Sequence, residues 1–139
     1  MTGNITLTMV KPLAVKQGYT GPILAQIAEA GFRIIALKYL RLSEAQARAF
    51  YLVHKDRPFY NDLVRSMTSG PIVAAILEKE NAVEAYRALI GPTDPSKAPE
   101  GSIRKKFGTS IEANAVHGSD SDDNAITESN FFFSQLERL

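Results

Sequence analysis

The sequence contains no cysteine. That excludes disulfides, iron–sulfur clusters, thiolate zinc sites and cysteine nucleophiles, and it is compatible with a reducing compartment. Histidine is nearly as scarce, with two in 139 residues, too few and too poorly supported by acids at ligand spacing for a histidine-based zinc centre. No excess of one charge exists either. Sixteen Lys and Arg stand against fifteen Asp and Glu for a net charge of +1, too balanced for a protein that wraps duplex nucleic acid, though it leaves room for a local basic pocket. No apolar run approaches the roughly 18 residues of a membrane span, and the first residues lack the basic start and apolar stretch of a signal peptide. The expectation is a cytoplasmic protein. Two phosphate-cradling loops are missing as well: Gly-x-x-x-x-Gly-Lys-Ser/Thr, and Gly-x-Gly-x-x-Gly after a strand. Any phosphate must therefore be held by side chains.

What is present is an ordinary globular composition, 45% hydrophobic and 22% charged, in a chain long enough to bury a core without metals or crosslinks. No repeat or linker interrupts it, so one domain over residues 1–139 is expected. Met1 to Val10 opens a strand, and Ile5 to Val10 alternates apolar and small polar residues as a strand with one face on a core does. It runs out at Lys11-Pro12. Ile23 and Ile27 recur at helical spacing after Thr20-Gly21-Pro22, with Gly31 as the stop. Arg33 to Leu40 reads as a second strand. Ser43-Glu44-Ala45-Gln46 is a capping box that starts a helix through about Val53, with Tyr51 and His54 near its end. Leu63 and Met67 belong to a further short helix before Ser69-Gly70-Pro71.

Ile72 to Leu77 is a nearly continuous apolar run, the mark of a central strand buried on both faces. Asn81 and Glu84 have the cap and return positions of a helix that runs to about Ile90 and Gly91. Gly91 to Gly101 carries three prolines and is a long ordered loop. Ser102 to Phe107 forms one basic helical turn, Ala113 to His117 a last edge strand, and Ser121 or Asp122 caps a final helix through Glu128 and Phe132. The order predicts a ferredoxin-like split βαβ sandwich: a four-stranded antiparallel sheet with helices packed on it, an α/β arrangement of the α+β kind.

His117 lies at a strand end beside glycine and a Ser/Asp run, where an imidazole can be both exposed and oriented. Lys11 at the end of the first strand projects into a cleft or into solvent. Taken singly, these positions read first as ordinary surface or core residues.

Taken together, the motifs are more specific. Asn114-Ala115-Val116-His117-Gly118-Ser119-Asp120-Ser121 resembles the active-site signature of the nucleoside diphosphate kinase family. The resemblance extends to Thr8-Met9-Val10-Lys11-Pro12, His54-Lys55-Asp56-Arg57-Pro58-Phe59, Gly70-Pro71-Ile72-Val73, Arg87, Gly91-Pro92-Thr93-Asp94-Pro95 and Gly101-Ser102-Ile103-Arg104. It covers about Thr8 to Phe133 and is similar to the short bacterial form, since the chain stops at Leu139. The resemblance implies transfer of the γ-phosphate of a nucleoside triphosphate, typically ATP, to a nucleoside diphosphate. The route is ping-pong, through a phosphohistidine at His117.

By the same resemblance, Glu128 hydrogen-bonds the other ring nitrogen, and Arg87, Arg104, Thr93, Tyr51 and His54 surround the phosphates. Lys11 and Asn114 reach the sugar hydroxyl and nearby oxygens, and Phe59 stacks the base with Leu63 and Ile111 beside it. Stacking is indifferent to base edges, so ATP, GTP, CTP, UTP and their deoxy forms are all expected substrates. Magnesium is implied, bridging β- and γ-phosphates with no assigned protein ligand. A homotetramer or homohexamer is implied too, with Gly91 to Gly101 at subunit contacts, and neither a membrane nor an obligatory nucleic acid.

One departure stands out. The family usually has aspartate after Lys-Pro, and here Leu13 takes its place, with an expected loss of about 1 kcal/mol in capping the turn that follows. That departure keeps an alternative in view, a nucleotide- or nucleic-acid-binding module on the same fold that has lost transfer.

Overall fold

A computed structural model describes residues 3–139; the strand opening expected at Met1 and Thr2 lies outside them. Four strands, β1 (Ile5–Val10), β2 (Arg33–Leu40), β3 (Ile72–Glu78) and β4 (Val116–Gly118), form one sheet in the order β2-β3-β1-β4. Every neighbouring pair is antiparallel. β1 and β2 therefore run the same way with β3 between them, and β3 and β4 run the same way with β1 between them. These are the two split βαβ units the element order predicts. The helices are α1 (Pro12–Lys16), α2 (Thr20–Glu29), α3 (Glu44–Phe50), α4 (Tyr60–Met67), α5 (Ala82–Ile90), α6 (Ile103–Phe107) and α7 (Asp122–Phe132).

They cover both faces of the sheet. Leu7, Met9, Ala74 and Ile76 pack with Tyr60, Val64 and Phe132 on one side. Val10, Val73, Ala75 and Leu77 pack with Ile23, Ile27, Tyr86 and Ile90 on the other. The apolar run from Ile72 to Leu77 is buried along its whole length, as a central strand requires. β1 departs from expectation: its small polar residues do not face solvent, for Thr6 and Thr8 are 0% and 1% exposed. The second layer covers them, and the Thr8 hydroxyl is paired with the phenol of Tyr86, which removes the penalty of burying it.

Local signals are realised closely. The Ser43 side chain accepts from the backbone N–H of Gln46 while the Gln46 side chain accepts from that of Ser43, completing the capping box. The helix ends at Phe50, and Leu52–His54 tightens into a 3₁₀ turn. Gly31 takes φ +93°, the left-handed conformation that terminates α2. Ser102 and Ser121 cap α6 and α7.

Three local expectations are corrected. Asn81 does not cap α5; it sits at φ 55°, ψ 48° with no side-chain cap bond, and its amide instead donates to Glu84 at 2.6 Å, a left-handed conformation asparagine tolerates. The last strand is shorter and later than Ala113 to His117, because Ala115 has φ 74° and cannot extend a ladder. Leu13 replaces no cap: Lys11 is the N-cap of α1 and Pro12 its first residue, so position 13 is already helical. An aspartate there would act on the partial positive charge of the helix end, worth about 0.3–1 kcal/mol.

Candidate active site

β4 carries the central residue. The left-handed turn at Ala115 brings the chain onto the edge of β1, where the backbone N–H of Lys11 donates to the Ala115 carbonyl at 2.9 Å and His117 pairs with Met9. Glycine next to His117 keeps the packing close, since a Cβ on Gly118 would meet the Tyr86 ring at 3.0 Å and Ile90 at 3.1 Å and push those side chains back by a few tenths of an ångström. His117 Nε2 lies 2.9 Å from Glu128 Oε1, on α7. The Ser119 hydroxyl donates to that same carboxylate oxygen at 2.7 Å and accepts from the Leu7 backbone N–H at 3.1 Å.

Glu128 therefore receives two donors and holds the imidazole with Nε2–H toward it, which leaves the lone pair on Nδ1. His117 and Glu128 are 20% and 19% exposed, sheltered yet open to a substrate. Tyr51 lies close enough for the Glu128 charge to act on it. Burial foremost, and then that charge, push its phenol pKa up, so it stays a neutral donor. Its hydroxyl has no partner among the described residues.

A second group assembles from the end of β1, α5, α6 and the loops on either side of α6. Lys11 Nζ donates to Asn114 Oδ1 at 2.7 Å, and Asn114 Nδ2 donates to the Thr93 carbonyl at 3.1 Å. Burial, with the nearby Arg104 charge, lowers the Lys11 pKa to about 8. Arg104 donates to the carbonyls of Gly91 at 3.0 Å and Val116 at 2.9 Å, tying the proline-bearing loop to β4 one residue before the imidazole. Burial draws its pKa down to about 10, so it remains cationic at neutral pH. Arg87 and Thr93 are exposed beside it, and these three line a cleft of about 400 Å³.

Thr93 also borders a second cleft of about 510 Å³, lined by Lys11, Phe59, Leu63, Ile111 and Asn114. Phe59 and Ile111 are 48% and 55% exposed, large apolar surfaces left open at one end. The structure sets His54 at this aromatic end, its ring 5.5 Å from that of Phe59. His117, Glu128 and Tyr51 line neither cleft; they form a group of their own, joined to the clefts through Arg104 and the Val116 carbonyl.

One functional residue had no role assigned from sequence. Ser119 stands in the quoted motif, but only the pairing of β1 with β4 shows that its hydroxyl bridges Leu7 and Glu128. Ser119→Ala should cost about 1–3 kcal/mol of stability, because the Leu7 N–H is left buried without its partner. It should also lower kcat several-fold by loosening Glu128, as parallel melts and steady-state assays would register.

Comparison with known proteins agrees over the whole chain. A family model described as nucleoside diphosphate kinase matches residues 4–138. Nucleoside diphosphate kinases of Flavobacterium psychrophilum and Gluconacetobacter diazotrophicus are each 56% identical over 139 residues, covering 100% of this chain and 100% and 99% of theirs. Among solved structures, the Aquifex aeolicus nucleoside diphosphate kinase superposes with a TM-score of 0.96 at 46% identity, covering 98% of this chain and 99% of that one. A halophilic nucleoside diphosphate kinase from Halobacterium salinarum, in complex with CDP, gives 0.93 at 34% identity, covering 99% and 92%. Fold and relatives together define a nucleotide-binding phosphotransferase. The chain belongs to the nucleoside diphosphate kinase family, and its function is nucleoside diphosphate kinase activity.

Proposed function

We propose that His117 is the residue phosphorylated in a ping-pong exchange and that residues 1–139 make up one catalytic domain. The observation that carries this is the bond from Nε2 to Glu128, which leaves Nδ1 as the free nucleophile. In the first half-reaction the Nδ1 lone pair attacks the γ-phosphorus of a nucleoside triphosphate. The bond to the β,γ-bridging oxygen breaks, and the nucleoside diphosphate leaves. In the second half-reaction a terminal β-phosphate oxygen of another diphosphate attacks the phosphorus, and the N–P bond breaks to restore neutral imidazole. The Nε2 proton stays in place throughout, and Glu128 meets the positive charge that grows on the ring.

Phosphoryl transfer asks the protein mainly for placement and charge. Lys11, Arg87 and Arg104 supply cations for the phosphate oxygens, with donors from Thr93, Tyr51 and His54, while Lys11 and Asn114 reach the sugar. Phe59 offers a stacking face flanked by Leu63 and Ile111, and it tolerates every base. The substrates are therefore proposed to be ATP, GTP, CTP, UTP and deoxy forms, with the matching diphosphates. Magnesium fits this donor set as an ion carried by phosphate oxygens and water. Lys11, Arg87 and Arg104 face the clefts, the carboxylates there are Asp62 and Glu112 alone, and among the described residues no three His, Cys, Asp or Glu side chains stand together as a cage. When bound it neutralises charge across the β- and γ-phosphates.

A homotetramer or homohexamer is proposed, supported by Leu37 and Tyr39, which leave 52% and 70% of their surface open on the sheet's outer strand β2. The absence of cysteine is compatible with the cytoplasm.

The test is direct. Protein mixed with γ-labelled ATP and magnesium, without acceptor, should take up acid-labile label, and added GDP or CDP should remove it as triphosphate. Nucleotide bound with no label on the protein would overturn the proposal.

A further inference from the structure

The hydrogen bond from Glu128 does not by itself aim the His117 nucleophile. In histidine the torsion about Cβ–Cγ is soft, with broad minima. The prolongation of that bond leaves the ring between Cε1 and Nε2, so turning the ring moves Nδ1 farther than Nε2. Acceptance by a carboxylate is broad in angle as well. An imidazole held only by the 2.9 Å contact of Nε2 with Glu128 therefore still swings at Nδ1, and something off the axis has to stop it.

Phe50, the last residue of α3, is placed to do so. Its ring lies 5.6 Å from the His117 ring at 77°, edge against face. That ring is itself fixed on its other sides, 4.9 Å from Tyr51, 5.2 Å from Phe131 and 5.4 Å from Phe132. Three aromatic neighbours, the adjoining Tyr51 and two from α7, make Phe50 a stop that cannot swing away with the imidazole. Phe50 lines neither cleft and has no polar atom to offer a nucleotide.

We infer that Phe50 is a positioning residue that sets the ring plane of His117 so that Nδ1 faces the incoming phosphorus. The inference rests on the reading of His117 Nδ1 as nucleophile. Phe50→Leu keeps apolar bulk but removes the flat stop. It should slow phosphorylation of the enzyme by ATP about tenfold to a hundredfold, the scale of a misaligned attack, with the nucleotide concentration for half-saturation unchanged. Phe50→Tyr retains the ring and should restore most of the rate. Because Phe50→Leu also loosens the aromatic cluster, Phe131→Leu serves as its control. It removes one of the three neighbours that hold Phe50, itself 41% exposed, without touching His117, and should slow the reaction several-fold less than Phe50→Leu does. Nitrogen-15 spectra of the imidazole should show exchange broadening at Nδ1 in Phe50→Leu alone.

An unchanged rate in Phe50→Leu, or equal losses in Phe50→Leu and Phe131→Leu at matched stability, would overturn the inference. His117→Ala, run in parallel, separates the two failures. If it still takes up label, the nucleophile is wrong. If it is inert while Phe50→Leu is fully active, only the role of Phe50 falls.

Discussion

His117→Ala is expected to lose phosphoryl exchange by about 10⁴-fold or more while nucleotide binding survives, because the nucleophile disappears and the groups lining the clefts do not. Among the described residues the imidazole makes one side-chain hydrogen bond, with Glu128, and one aromatic contact, with Phe50. Glu128 keeps its second donor, the hydroxyl of Ser119, so its carboxylate is not stranded. The fold should therefore lose no more than about 1–2 kcal/mol, since a net hydrogen bond is worth about 1 kcal/mol. The measurement is a coupled exchange assay beside a titration with a fluorescent diphosphate. An inactive variant that also fails to bind would point to misfolding, and an active one would remove His117 from the mechanism.

Lys11→Met should move activity and stability in opposite directions. Removing the one cation shared by the end of β1 and the larger cleft is expected to lower kcat/KM about 10²–10³-fold, the scale for deleting one group that meets developing charge. The same cation strains the fold: burial and the Arg104 charge lower its pKa from 10.5 to about 8. At about 1.4 kcal/mol per unit, keeping it charged costs on the order of 3 kcal/mol at neutral pH. Methionine escapes that cost but forfeits the bond to Asn114, worth about 1 kcal/mol. A net gain of about 1–2 kcal/mol and a midpoint several degrees higher at pH 7 should follow.

The sign with pH is fixed by the depressed folded-state value. Below about pH 8 both states of the parent hold the proton, and the cost is present in full. Between about 8 and 10.5 the unfolded chain holds more protons, so the parent gains stability as pH rises and the gap to Lys11→Met closes. Activity runs the other way. Free enzyme loses the Lys11 charge as pH passes about 8, so KM for nucleotide should climb there in the parent and stay flat in the variant. A variant no more stable than the parent at pH 7, or a parallel pH dependence in both, would contradict this account.

These effects mark what short-range reading reaches. The Ser43 capping box, the left-handed stop at Gly31, the buried run Ile72 to Leu77 and the cap at Ser121 all depend on residues within a few positions of one another. Each appears in the folded chain where the sequence puts it. The failures share one cause. Asn81 looks like a cap until its backbone turns left-handed, and Ala113 to Ala115 looks like strand until Ala115 does the same. In both cases one non-glycine residue in the left-handed region, which residue spacing does not report, ends the expected geometry. Thr6 and Thr8 looked solvent-facing because alternation cannot report a second helical layer.

The amino-acid order alone determined most of the elements, the split βαβ architecture and, through the run from Asn114 to Ser121, the kinase family, for each is written in local spacing or in a long contiguous motif. Tertiary structure alone decided which atoms meet. The Leu7 N–H reaches Ser119 across 112 positions and Lys11 reaches Asn114 across 103, while Phe50 comes against His117 from the end of α3. Such contacts follow from strand register and helix packing, where a shift of one residue turns every side chain to the opposite face of the sheet.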